Sequence, residues 1–205
     1  MRENNEQNSE QNSCQSKRFN SFTQHREFEG RSNFTLANDE VRIVDSMIDI
    51  IYPPVAFPSN RIFKAIGEDG IREMVDYHHE LLFKSRVGSL FPANSEARRA
   101  IIDKSADFFV EALGGDDVFT SLHGRPKLRE RHFKIPIDEN DREIWLAMYK
   151  KTLKDLNFPT ELLEEFWNWI EPLSIRMINR RTNMDPIKRH HWYDVKKEFF
   201  KNEEI

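Results

Sequence analysis

Gly124-Arg125-Pro126-Lys127-Leu128-Arg129-Glu130-Arg131-His132-Phe133-Lys134-Ile135-Pro136-Ile137 is the stretch on which the reading of this chain turns. Two prolines bracket a segment with room for about two helical turns. Pro126 suits a first helical turn, where its missing N–H costs nothing, and Pro136 ends the run. Leu128 and His132 lie one turn apart and share a face. His132 is therefore an imidazole on a firm mount, which is what a metal-ligating histidine needs. By itself such a histidine is ordinarily a surface or cap residue. The basic residues around it, Arg125, Lys127, Arg129, Arg131 and Lys134, form either a solvated face or a cradle for carboxylates through charge-assisted hydrogen bonds.

Outward from this segment the periodicity is helical. Asp138 is placed to cap a helix carrying Ile144, Trp145, Met148, Thr152 and Leu156. Thr160 is expected to cap a last large helix, with Leu162, Leu163, Phe166, Trp167, Ile170, Leu173, Met177 and Ile178 facing inward and Pro172 kinking it. Upstream, a helix over about Ser95 to Leu113 puts Ile101, Ser105, Phe108, Phe109 and Ala112 on one face, and Gly114-Gly115 terminates it. Before it, Ile71, Met74, Val75, His78 or His79, and Leu82 share a helix face that ends near Gly88, followed by a Phe91-Pro92 turn.

Composition agrees. With 7 glycines and 9 prolines in 205 residues and no valine-rich alternation, the chain reads as all-α. Its 31 basic and 35 acidic residues give a formal charge of −4, against a general nucleic-acid binder. The single cysteine, Cys14, cannot form an internal disulfide. The opening residues lack the apolar core of a signal peptide, and no apolar run of about 18 residues suggests a membrane span. A cytoplasmic location is expected.

Four regions follow. Residues 1–38 are polar and too poor in apolar side chains to offset their ordering entropy, so disorder is expected. Residues 39–60 hold an amphipathic helix, Asp39 to Ile51, and a linker begun by Pro53-Pro54. Residues 61–181 carry the main domain, and 182–205 form a C-terminal extension.

The segment from Gly124 to Ile137 resembles the proximal segment of group II truncated haemoglobins. So does Asp141-Arg142-Glu143-Ile144-Trp145-Leu146-Ala147-Met148, in the same order and at the expected distance. Ile66-Gly67 with Ile71-Arg72-Glu73-Met74-Val75-Asp76 is similar to the family's opening helices. Phe91-Pro92 matches its turn aromatic, Gly114-Gly115 its glycine pair, and Met177-Ile178-Asn179-Arg180 the end of its last helix.

The resemblance implies a two-over-two helical sandwich, here with an extra N-terminal helix and a C-terminal tail, around haem b. It implies His132 as the proximal iron ligand and Phe91, Phe108, Leu128, Ile135 and Arg131 as further haem neighbours. Trp145 would face a diatomic ligand, dioxygen, nitric oxide or carbon monoxide, and its indole can only donate a hydrogen bond. The family's distal tyrosine is absent. Its place falls on His79 by one count and His78 by another, with Tyr77 available only after a local shift. Ile101 and Ser105 align with the other ligand-facing positions. A distal histidine could donate to ligand or occupy the iron itself.

Within this reading lie reversible binding, nitric oxide oxidation and peroxide chemistry, the last two with an external reductase because the chain carries no flavin or nicotinamide motif. The alternative is a gas sensor or haem-free interaction module using the N-terminal helix to dock, dimerise or meet a partner; a monomer and a homodimer are both compatible. A non-haem metal site on His78, His79 and Glu80 lacks any supporting motif. His123, His190 and His191 are expected to face solvent.

Overall fold

The helical spacing becomes seven α-helices among the described residues, which are 52–183 and 185–200 of the computed structural model. The polar segment 1–38 and the helix expected from Asp39 to Ile51 lie outside them. The helices are α1 (Arg61–Phe83), α2 (Ser95–Ala112), α3 (Val118–His123), α4 (Leu128–His132), α5 (Glu139–Asp155), α6 (Leu163–Ile175) and α7 (Trp192–Phe200). No strand occurs among the described residues.

Two helix pairs, α1 with α2 and α5 with α6, are joined where α1 lies against α5. This is the two-over-two helical sandwich that the resemblance implies. Ile62, Ile71, Met74, Leu82, Tyr149, Phe166, Trp167 and Trp169 fill the space between them and are fully buried. At about 25 cal/mol per Å², aromatic side chains of this size supply much of the apolar stabilisation.

Local signals explain most boundaries. Asn94 accepts from the Ala97 amide at 3.0 Å and caps α2. Asp138 caps α5 through a reciprocal pair: Asp138 accepts from the Asp141 amide at 2.8 Å, and Asp141 accepts from the Asp138 amide at 3.1 Å. At Gly67, φ is 67° and ψ −179°, which breaks α1 near its start. Gly114 (φ 102°) closes α2 where a Cβ would stand 2.5 Å from the Asn60 Cα, so only glycine lets the two backbones meet.

Four boundaries differ from the expectation. The first large helix stops at Phe83, and a 3₁₀ turn, Arg86–Leu90, carries the chain to Phe91. Ser85 fixes that turn by accepting from the Val87 amide. Pro126 is not in the first turn of α4: Lys127 precedes the helix in the left-handed region, φ 39°. Thr160 makes no side-chain cap; Pro159 opens a 3₁₀ turn, Thr160–Leu162, that leads into α6. Pro172 stands in the last turn of α6, which ends at Ile175, so Met177 and Ile178 lie beyond it.

The C-terminal extension returns to the helical core. Arg142 of α5, 3% exposed, donates to Ser174 Oγ, Glu171 Oε1 and the Lys188 carbonyl at 2.7, 2.6 and 2.8 Å. Arg189 reaches the same Glu171 carboxylate, and the Trp167 indole donates to the His190 carbonyl at 2.6 Å. His190 is held by Glu143 at 2.8 Å rather than facing solvent, whereas His191 is exposed and stacks on Tyr193. His123 also departs from expectation: its Nε2 is 3.0 Å from Asp107, which Arg72 holds from the other side.

Candidate functional site

The mount of His132 is built from the loop before α4, from α4 itself and from the chain after α6. The Arg131 guanidinium donates to the carbonyls of His123, Arg125 and Pro126 at 2.8, 3.0 and 2.7 Å, folding the loop under the helix. Arg129 donates to the carbonyls of Arg176 and Ile178. Asn179 donates to the His132 and Ile135 carbonyls, both at 2.8 Å, and accepts from the Ile137 amide at 3.1 Å. Three hydrogen bonds from one side chain thus hold the backbone on both sides of Pro136.

On this mount the His132 Nδ1–H donates to the Leu128 carbonyl, one turn back, at 2.6 Å. That bond fixes the tautomer: Nε2 carries the lone pair. Burial pushes the His132 pKa down, and the bond to Leu128 only partly opposes this. The imidazole is therefore neutral, oriented and ready to bind a metal.

His132 lines a cavity of about 950 Å³. Its walls are mostly apolar, including Leu82, Phe91, Phe108, Leu128, Ile135 and Ile170. Lys104, Arg131 and Lys134 add basic groups. Size, apolar walls, basic side chains and the oriented imidazole of His132 together fit a haem, a flat apolar macrocycle with two carboxylates. The Arg131 guanidinium is engaged by the three loop carbonyls, so within the cradle its fixed part is to hold the loop.

The cavity includes Trp145, His79, Ile101 and Ser105 but not His78. Adjacent residues on a helix point about 100° apart, and here the two histidines take different surroundings. His78 is fully buried behind Trp145: its Nε2–H donates to the Trp145 carbonyl at 3.2 Å, and its ring stacks on Tyr149 at 3.6 Å between centroids. Its Nδ1 has no hydrogen-bond partner. Burial, with the neighbouring His79, holds its pKa well below the usual value.

His79 packs against Phe83 and Phe91 and donates from Nδ1 to the Val75 carbonyl at 2.7 Å. Burial lowers its pKa too, against the Val75 hydrogen bond and the charge of Asp76. Tyr77 points elsewhere: its hydroxyl donates to Asp155 at 2.6 Å.

Asn179, Tyr149 and Arg142 were not singled out by the sequence reading as site residues, and Arg129, named there as one of the basic residues of a carboxylate cradle, instead holds backbone carbonyls. Tyr149 and Arg142 line the cavity, and Tyr149 is in edge contact with Trp145 at 4.5 Å. Their one-turn spacing from Trp145, forward for Tyr149 and close to a turn back for Arg142, was the available signal. Asn179 had none, nor did the carbonyl partners of Arg129, because these contacts join residues distant in the chain.

Among the described residues, no three histidine, cysteine or carboxylate side chains gather as a metal site, and no helix is long and apolar enough to cross a membrane.

Comparison with known proteins places the chain in a family. A family model, Bacterial-like globin, matches residues 61–179. The group 2 truncated hemoglobin YjbI of Bacillus subtilis (strain 168) is 28% identical over 123 residues, which are 59% of this chain and 90% of that protein. The crystal structure of phosphate-bound Hell's gate globin IV is 48% identical with a TM-score of 0.72, covering 77% of this chain and 99% of that one. The group II truncated hemoglobin of Bacillus anthracis is 27% identical with a TM-score of 0.53, covering 59% of this chain and 92% of that one. Matched through residues 61–179 and built as the same helical sandwich, this chain belongs to the bacterial-like globins, as a haem-binding truncated haemoglobin of the group II type.

Proposed function

We propose that this globin binds a diatomic gas, dioxygen foremost, at a haem iron ligated by His132. The observation that carries the reading is the Nδ1–H bond from His132 to the Leu128 carbonyl, which leaves a lone pair on Nε2 at the wall of the cavity. Haem, when bound, supplies an iron with one position for that nitrogen and one for a gas.

The chain's own residues do the rest. Asn179 and Arg129 hold the proximal turn, so the imidazole keeps its orientation without an entropy cost at binding. Phe91, Phe108, Leu128 and Ile135 present apolar surface to the macrocycle and exclude water. Basic side chains at the cavity suit the propionates, with Lys104 and Lys134 better placed for that than the loop-bound Arg131.

Trp145 lines the same cavity, and among the described residues its indole N–H makes no hydrogen bond to protein. It is a donor for the outer atom of a polar diatomic, which carries partial negative charge. Ile101 offers only apolar contact, and Ser105 a weaker donor.

The test is the visible spectrum of the haem-supplemented chain, ferric and ferrous, with and without carbon monoxide. A Soret band that moves with carbon monoxide in the wild type, and loss of stoichiometric haem in His132→Ala, are expected. An H132A protein that keeps its full haem and an unchanged spectrum defeats the proximal assignment.

A further inference from the structure

His79 and His132 are two imidazoles on one cavity, and both are anchored in the same way. Each donates Nδ1–H to the carbonyl four residues back in its own helix, His79 to Val75 at 2.7 Å and His132 to Leu128 at 2.6 Å. Each is therefore the tautomer with its lone pair on Nε2. A distal imidazole in this state cannot donate a hydrogen bond to dioxygen without first giving up the Val75 carbonyl. It can accept.

We propose that Nε2 of His79 is the proton acceptor of the distal space, and that the cavity thereby favours small weak acids, H–X, over ligands that carry no proton. The proposal rests on the haem reading above, with X⁻ as the species left at the haem. The step balances within the pocket. The H–X bond breaks with its electron pair remaining on X, and the Nε2 lone pair forms the new N–H bond. A neutral acid and a neutral imidazole become an anion beside an imidazolium, so the net charge of the cavity is unchanged.

The surroundings favour this role. His79 is 7% exposed and held between Phe83 and Phe91, so its neutral form predominates before a ligand arrives. An imidazolium formed there has its partner anion at hand in a medium of low dielectric, where such a pair attracts strongly. Trp145, on the same cavity, supplies the complementary N–H donor for X. His78 does not share the task, because it lies behind the wall and does not line the cavity, with its Nε2–H on the Trp145 carbonyl.

The test uses the full chain loaded with haem, as wild type, His79→Leu and His79→Gln. Hydrogen cyanide on the ferric protein is the acidic probe, and carbon monoxide on the ferrous protein is the probe without a proton. The ratio of the two association rate constants should fall by about 10²-fold in both variants, the scale of a positioned base. Glutamine should not restore it, because an amide accepts a hydrogen bond but not a proton. Nitrogen-15 NMR of the histidine side chains should show His79 protonated on Nδ1.

An unchanged ratio overturns the proposal. So does a six-coordinate low-spin ferric spectrum that H79L abolishes, which would put Nε2 on the iron. Failure to take up haem defeats the haem reading instead. The tautomer is then read on the haem-free chain, where a proton on Nε2 overturns the proposal and one on Nδ1 supports it.

Discussion

Trp145 and Gly114 show how much single residues decide. The Trp145 indole is a hydrogen-bond donor on a mostly apolar cavity. A hydrogen bond contributes about 0.5–1.5 kcal/mol net, so Trp145→Leu should speed dioxygen dissociation up to about tenfold. Stopped-flow displacement of dioxygen by carbon monoxide measures this, and an unchanged rate removes Trp145 from the ligand's surroundings. Gly114 combines a φ of 102° with a Cβ position 2.5 Å from the Asn60 Cα. Gly114→Ala therefore strains the backbone and forces α1 away from the end of α2. A loss of about 2 kcal/mol or more in a urea titration is expected. The choice between His78 and His79 also belongs to this scale, and here adjacency hid it: both sit on the buried side of one helix, and the sequence could not say which ring meets the cavity.

At the scale of elements, the turn after His132 and the C-terminal extension are each pinned by a few polar side chains. Asn179 makes three hydrogen bonds across the turn that follows α4. Asn179→Ala leaves two carbonyls and an amide without that partner. A loss of about 2–3 kcal/mol is expected from three bonds of ordinary strength, together with faster haem transfer to an acceptor globin. Transfer at the wild-type rate would show that Asn179 does not steady His132.

The Arg142–Glu171 pair is a stronger case, since both side chains are 2% exposed. Burial alone would raise the Glu171 pKa, but hydrogen bonds from Arg189 and the His190 amide and the charge of Arg142 outweigh it, and the net shift is downward. Glu171→Ala leaves the buried guanidinium with only the partly exposed Glu143 as a charged partner, and breaking such a buried pair costs about 3–5 kcal/mol. Because Arg142 also lines the cavity and holds the Lys188 carbonyl, this variant should loosen the C-terminal extension as well. Hydrogen exchange at residues 185–200 would report that loosening.

For the molecule as a whole, burial of neutral imidazoles makes folding sensitive to acid. His78, His79 and His132 all have lowered pKa values, chiefly from burial. The unfolded chain protonates these groups at a pH near about 6.5, and the folded chain only at lower pH. Their contribution to stability is thus intact above that value and is lost as the pH falls toward the folded pKa values. The urea midpoint of the haem-free chain should drop steeply below about pH 6.5. His78→Phe, which keeps a ring against Tyr149, should flatten the fall; an equally steep fall would assign it to other groups.

The amino-acid sequence by itself determined the main helices and the family, but not the short helix α3, which forms where a loop was expected. Helical hydrogen bonds span four residues, so apolar spacing, the Asp138 cap and the prolines around His132 are written within short windows. The same locality placed Trp145 and His132, each on its own helix. Only the tertiary structure decided which of His78 and His79 meets the cavity, that Asn179 steadies the His132 turn, and that Arg142 joins α5 to Glu171 and Lys188. Those partners lie 47, 29 and 46 residues apart for Asn179–His132, Arg142–Glu171 and Arg142–Lys188. Nothing in a local window sets such distances; they follow from how the helix pairs pack, and a desolvated polar group takes whichever partner that packing brings within reach.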